Sequence, residues 1–324
     1  MKRTVLAASE SYLPDAVSEV RGNAVDLVVA AVLAAAAHNP SVLLGPVQIL
    51  VGGAGVGENA IDGRVRQPGK GADRPRGFTG EPPRTARVGA PMLPAALFSA
   101  LATFGTATQS AVSGGAVAMA RELSPERARV LDRLARLGPR GFLEFTEALM
   151  AATGKMTGGL LTAEDLTLVP TIEACTRDAE ATLAFAPWSD EDAEARSEIV
   201  TAIDGRGTVA IAAYEVHEIG VPIPELGLLA PGYAAPVRRG ERRIAPGVPC
   251  GIPAAIALVG EGGVVQGGVG FTLGRIRDVR ATLARAPAAL EPSLRAELQA
   301  VGKGAAVATL QVGKGDPQSW VLRA

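Results

Sequence analysis

Few side chains in this sequence could carry nucleophilic or metal-assisted chemistry, and their spacing narrows the options. The two histidines, His38 and His217, stand far apart with no zinc-ligand spacing around them, so no metal site is expected. The two cysteines, Cys175 and Cys250, form no CxxC pair and read as reduced thiols. The glycine-rich stretch from Gly52 to Gly57 lacks dinucleotide-fingerprint spacing and a P-loop lysine, and it leads into a strand. It reads as a hairpin turn, and no cofactor is expected. A Ser-His-Asp triad is open to either histidine, but no nucleophile elbow supports one. One hydroxyl is better placed. The segment SEIVTAIDGRGTVAIAAYEVH, Ser197 to His217, reads as two strands and a tight turn, directly after an acidic run from Ser189 to Glu194. A hairpin needs no serine there, whereas a hydrolase that exposes its nucleophile at the start of a strand does. The competing reading is that Ser197 simply begins a strand.

The elements that would position these residues alternate in type along the chain. Val17 to Ala37 is apolar nearly all round, which predicts a central helix ended by His38-Asn39-Pro40. Pro46 to Ala54 and Glu58 to Asp62 read as strands, and Arg66 to Thr85 as a polar loop. Between Pro94 and Ala152 amphipathic helices are expected, broken at Gly105, Ser124-Pro125 and Gly138-Pro139, with Thr162 as the N-cap of a further turn. Thr171 to Ala186 predicts one or two strands, and Pro187 to Ala195 an acidic linker. After the Ser197 hairpin comes a Pro/Gly-rich stretch. A second hairpin (Pro253 to Gly260 with Gly263 to Gly268), helices at Arg275 to Ala286 and Pro292 to Val301, and closing strands at Ala305 to Val312 and Gln318 to Leu322 complete the pattern. This order predicts α+β layers, with helices on largely antiparallel sheets.

Bulk properties exclude several classes. The chain has 324 residues, enough for a substantial core, and it is 48% apolar but only 4% aromatic, so small residues must fill that core. A net charge of −1 gives no field favouring nucleic acid. The longest apolar run, Leu27 to Ala37, is too short to span a bilayer, and the N-terminus has no secretory h-region. A cytoplasmic protein without a membrane partner is expected.

Several blocks resemble the gamma-glutamyltransferase family, and they occur in the family's order. RGNAVDLVVAAVLAAAAHNPSVLLGPVQILVGGAG is similar to its N-terminal signature, and NAIDGRVRQP to its strand ending in Asp-x-Arg. ARVGAPMLPAALFSALATFGT, SGGAVAMAR and GGLLTAEDL resemble three further blocks. AIDGRGTVA resembles the strand-turn-strand after the nucleophile, and IPAAIAL with GGVGFT a later hairpin and glycine loop. The resemblance implies the four-layer αββα sandwich of the N-terminal-nucleophile hydrolases. It also implies one domain over residues 1–324, with 1–196 and 197–324 equivalent to the large and small subunits of a self-cleaving precursor. In that family a threonine freed by cleavage supplies both the nucleophilic hydroxyl and, as its amine, the base.

Carried across residue by residue, the resemblance places the nucleophile on Ser197, where the family has threonine, followed by Glu198 and Ile199 instead of threonine and histidine. Arg64 matches the arginine that grips a substrate carboxylate, a bidentate task suited to guanidinium. His217 falls on an asparagine position and is open to a packing or an acid–base role. Gly267 and Gly268, in Gly267-Gly268-Val269-Gly270, stand for the oxyanion loop. The acid for a substrate amino group falls near Ala235, and two serines fall near Pro249 and Cys250, so those groups are absent. Burying a charged amino-acid head against such a pocket would cost on the order of several kcal/mol. The expected function is therefore a divergent amide hydrolase or acyltransferase acting on a small acyl or amide compound other than a γ-glutamyl one. The alternative is an inactive relative serving as a binding protein or as the partner subunit of an active paralogue; self-association as a homo-oligomer is the other assembly expected.

Overall fold

Asn23 and Asp26 explain how the fold begins. Asn23 Oδ1 accepts from the amides of Val25 and Asp26, and the Asp26 carboxylate accepts from the Asn23 amide, a reciprocal capping box opening α2 (Ala24–His38). Asp26 is fully buried and also accepts from the Thr106 amide and hydroxyl, so it ties the helix start to a second segment. A Cβ on Gly22 would lie 2.2 Å from Asp26 Oδ2, which is why glycine precedes the cap. The helix begins at Ala24 and not at the expected Val17, because Asn23 caps it there, and from Ala24 to Ala37 every residue is buried, Asp26 being the one charged side chain among apolar ones.

The computed structural model describes residues 4–53, 55–72, 77–177, 183–185, 197–250, 256–261, 264–272, 292, 295, 299, 305–311 and 315–323. In chain order, β1 (Val5–Ala8), α1 (Leu13–Ala16) and α2 lead into the hairpin of β2 (Val47–Gly53) and β3 (Asn59–Gly63). The helices α3 (Leu93–Phe104), α4 (Gln109–Leu123), α5 (Pro125–Leu137), α6 (Pro139–Leu143) and α7 (Thr146–Thr153) follow, interrupted where glycine and proline predicted. Thr162 caps its turn with Asp165 as the reciprocal partner. Then come β4 (Thr171–Ala174), β5 (Thr176–Arg177), β6 (Leu183–Phe185), β7 (Ser197–Ile203) and β8 (Thr208–Glu215). Short strands β9 (Val221–Ile223) and β10 (Leu228–Ala230) pair together, and β11 (Ile256–Glu261), β12 (Val264–Phe271), β13 (Ala305–Leu310) and β14 (Gln318–Arg323) close the chain.

Among the described residues two six-stranded sheets form, in the orders β1-β7-β8-β2-β3-β4 and β14-β13-β12-β11-β6-β5, with antiparallel pairing throughout. Strand alternation sorts the first sheet's side chains. Val200, Ala202, Ala210, Ala212, Val47 and Ile49 join the helix-side core with α2 and α3. Ile199, Ile203, Val209, Ile211, Ala213, Leu50 and Ala60 face the other way and pack with Ile256, Leu258 and Val307 of the second sheet. A third apolar cluster, including Phe271 and Leu310, sits on the second sheet's far face. The expected α+β layering is therefore present over the described residues, with helices packed on one sheet and a second sheet packed on its other face. The expected acidic linker from Pro187 to Ala195, and the expected helices at Arg275 to Ala286 and Pro292 to Val301, lie outside the described residues, apart from isolated positions in the last.

Candidate active site

The register of the first sheet gathers polar residues at one end of its inner face. Ser197 stands opposite Glu215, and one pair further in, Ala213 stands opposite Gln48, Gln48 opposite Asp62, and Asp62 opposite Thr171. Directly opposed residues share a face, and Glu215 continues the inward-facing series Val209, Ile211, Ala213. Of the other inward positions on these strands, Glu173 of β4 is charged and stands opposite Ala60, Thr201 is paired with Thr309, and the rest are apolar or small.

Ser197 opens β7 and is 2% exposed; among the described residues its hydroxyl makes no hydrogen bond. Glu215 closes β8, also at 2%. Its Oε2 accepts from the Tyr233 hydroxyl and lies 3.1 Å from His217 Nε2, while His217 Nε2 also meets Tyr233 Oη. The His217 amide donates to Ser41 Oγ at 2.8 Å, and its ring stands edge-on to Tyr233. Burial, and then the adjacent Glu215 charge, push the Tyr233 phenol well above its ordinary pKa, so it stays a donor. All these contacts fall on Oε2. Glu215 Oε1 is buried with no partner, an arrangement that costs about 1–3 kcal/mol or more for a charged group.

Arg64 follows β3 and lies elsewhere along the same sheet end. Its Nε and Nη2 donate to the Asp62 carboxylate at 2.9 and 2.8 Å, a bidentate pair, and its amide donates to Oδ1 at 3.0 Å. Arg66 Nη1 adds a contact at 3.2 Å. Burial acts to raise the Asp62 pKa, but the hydrogen bonds and charge of Arg64, joined by Arg66, outweigh it and hold it below the usual carboxylate range. These residues line a cleft of about 320 Å³ with Leu168, Val169, Thr171, Glu173, Gly247 and Pro249. Gln67 joins the region to its neighbours: it accepts from the Ala235 amide, donates to the Ala235 carbonyl, and lies 3.6 Å from Cys250 Sγ. Burial pushes the Cys250 thiol up, only partly countered by Arg66 and Arg64, so it is not an activated thiolate.

The sequence-predicted residues thus divide. Ser197 and His217 converge on Glu215. Arg64 and Pro249 line the cleft, whose lining does not include Ser197 or His217, and Ala235 and Cys250 sit beside it on Gln67. Three inter-strand steps separate β7 from β3, roughly 14 Å at about 4.8 Å each. Residues Tyr233 to Ala235 run between the two sites, with Tyr233 on Glu215 and Ala235 on Gln67.

Gly267 and Gly268 require a correction. They lie inside β12, paired with Val259 and Leu258 on one side and with Leu310 and Thr309 on the other, so their amides belong to the ladder. A Cβ on Gly268 would sit 2.7 Å from Thr201 Oγ1, well along β7 from Ser197, and one on Gly267 would sit 2.1 Å from the Thr309 carbonyl. These glycines let two sheets and two strands approach closely; they do not form an oxyanion loop. Adjacent glycines look the same in a sequence in either role.

Glu215 and Tyr233 are the residues that sequence reading missed. A signal existed: Glu215 is the only acid on the inward face of β8, and a tight turn between Ile203 and Thr208 makes it the partner of Ser197.

No family model and no curated protein matches the chain. Solved structures do. Cephalosporin acylase from Bacillus halodurans aligns over 98% of this chain and 96% of its own, at 12% identity and a TM-score of 0.72. LmbA2991 aligns over 100% of this chain and 96% of its own, at 14% identity and a TM-score of 0.72. A gamma-glutamyltranspeptidase from Pseudomonas nitroreducens overlaps 52% of this chain and 65% of its own at 20% identity, with a TM-score of 0.43. The first two likenesses, each over nearly all of both chains, bear out the expected fold. Among the described residues, no helix is long and apolar enough to cross a membrane, and no group of His, Cys, Asp or Glu could hold a metal ion.

Proposed function

We propose that this protein is an amide hydrolase or acyltransferase of the gamma-glutamyltransferase-like kind, with Ser197 as nucleophile and a small acyl compound other than a γ-glutamyl one as substrate. The observation that carries the reading is the position of Ser197: first residue of an inner strand, on the inner face, beside a buried carboxylate, with a hydroxyl that is unengaged among the described residues. The Ser197 hydroxyl attacks the acyl carbon, the amine leaves, and water or a second amine takes the acyl group from the serine. Arg64 holds a polar group of the substrate through its Nη1 side, since Asp62 occupies the Nε–Nη2 edge. A substrate reaching both Ser197 and Arg64 is extended, in keeping with the separation of their strands. The acyl amides of cephalosporins, suggested by the similarity to cephalosporin acylase, form the first panel to try.

A second reading is favoured by the closed edge of Arg64 and by the apolar Ala235 and Pro249 where the resemblance places polar groups: an inactive relative that binds a ligand or partners an active paralogue. Both readings are separated by one experiment. Amide hydrolysis is measured for the wild type and for Ser197→Ala, with the intact mass of each chain recorded. Turnover that Ser197→Ala removes supports the enzyme. An inert wild type that co-purifies with a longer homologue supports the partner subunit. The masses also report whether the Arg196–Ser197 bond is cut, as a division into 1–196 and 197–324 requires; residues 186–196 lie outside the described residues.

A further inference from the structure

We propose that Glu215 is the general base for Ser197, so that this serine can act without an amine of its own. The inference rests on the reading of Ser197 as nucleophile and adds a role that the family resemblance does not contain. Three observations carry it. Ser197 and Glu215 are directly opposed on antiparallel strands and face the same side, which brings their Cβ atoms to within about 4.5–5.5 Å. Tyr233 and His217 both engage Oε2, which fixes the carboxylate in orientation. Oε1 is buried and unpartnered, and so is available to a hydroxyl proton. A structural carboxylate at this depth would be expected to use both oxygens.

The chemistry balances without any further group. As Ser197 Oγ bonds to the acyl carbon, its proton passes to Glu215 Oε1 and the carbonyl electron pair moves onto oxygen. Collapse of the tetrahedral adduct breaks the C–N bond, and the departing nitrogen takes the proton from Glu215. Water then attacks the acyl-serine ester, gives its proton to Oε1, and the proton returns to Ser197 Oγ as the acid leaves. Tyr233 and His217 are positioning residues for the carboxylate.

The test uses the full-length protein and an activated ester, p-nitrophenyl acetate, with the acylated residue located by peptide mapping. Ser197 of the uncleaved chain should be acylated, and Glu215→Gln should slow that step by about a hundredfold or more, the usual scale of general-base assistance. Glu215→Asp, which keeps a carboxylate on a shorter arm, should retain part of the rate. Acylation of Ser197 at the wild-type rate in Glu215→Gln, or only in chains cut before Ser197, overturns the assignment to Glu215 while leaving Ser197 as nucleophile. No acylation of wild-type Ser197 overturns both. If Glu215→Gln does not fold, the solvent deuterium effect on wild-type acylation decides: a normal effect supports base assistance in the uncleaved chain, and its absence overturns it.

Discussion

The Arg64 cleft and the Ser197 cluster lie at the same end of one sheet, yet they treat their polar atoms differently. In the cleft, Asp62 accepts from Arg64 through both carboxylate oxygens and from Arg66 besides, and its pKa is depressed accordingly. In the cluster, Tyr233 and His217 crowd onto one oxygen of Glu215 and leave the other bare, opposite a Ser197 hydroxyl that is unengaged among the described residues. A satisfied ion pair organises a fold and a binding surface. A buried carboxylate oxygen without a partner is destabilising, and such an atom next to a potential nucleophile points to chemistry.

The contrast predicts separable effects of substitution. The largest is on turnover: Ser197→Ala should lower amide hydrolysis by at least about a thousandfold while leaving the melting temperature nearly unchanged, because removing a nucleophile removes the covalent route. A variant that melts much earlier would instead make Ser197 a packing residue.

Asp62→Asn should show the reverse pattern. It breaks a largely buried bidentate pair and leaves two guanidinium groups facing a neutral amide, at a cost of about 3 kcal/mol in denaturant unfolding at neutral pH. The folded-state pKa of Asp62 lies below its unfolded value, so the stabilisation is present above the ordinary carboxylate pKa and is lost as pH falls through the folded one. Wild type and variant should therefore converge in acid.

Gly268→Ala tests the packing role given to that glycine. The added methyl meets Thr201 Oγ1 at 2.7 Å and Val209 Cγ1 at 3.3 Å, and overpacking of this kind costs about 1–3 kcal/mol. Stability should fall with acylation of Ser197 little altered; a selective loss of acylation would restore the oxyanion role.

The smallest effect belongs to Glu10, on the helix side of the first sheet. Burial, and beyond it the nearby Glu198, raise its pKa in spite of the Tyr214 and Tyr12 hydroxyls that donate to it. Its protonated form is favoured by folding, so that stabilisation is present below the ordinary glutamate pKa and is lost as pH rises through the raised value. Glu10→Gln should thus gain slightly on the wild type at neutral pH and match it in acid, opposite in sign to Asp62→Asn. Thermal melts across pH check both.

Much of this arrangement was legible in the sequence because the signals are local. Proline and glycine mark the breaks between α3, α4, α5 and α6, and alternation with a tight turn specifies the β7–β8 hairpin, whereas the expected start of α2 at Val17 falls too early, because it leaves the cap at Asn23 unread. What escaped depends on distant partners. The strand β1 is only Val5–Ala8, too short to show a period, and it exists because β7 offers it an edge. The restraint on Arg64 comes from Asp62 turning back onto it, and the meaning of Gly267 and Gly268 from a second sheet pressing on β12. Glu215 reads as an ordinary polar end to a strand until register sets it against Ser197.

The central claim is that Ser197 is the nucleophile, and the most direct measurement is to quench the full-length protein during turnover of its fastest acyl amide and map the modified peptide. An acyl group on Ser197, absent from Ser197→Ala, is the predicted result. Turnover with the acyl group on Cys250, or with no acylated residue and full activity in Ser197→Ala, would contradict it.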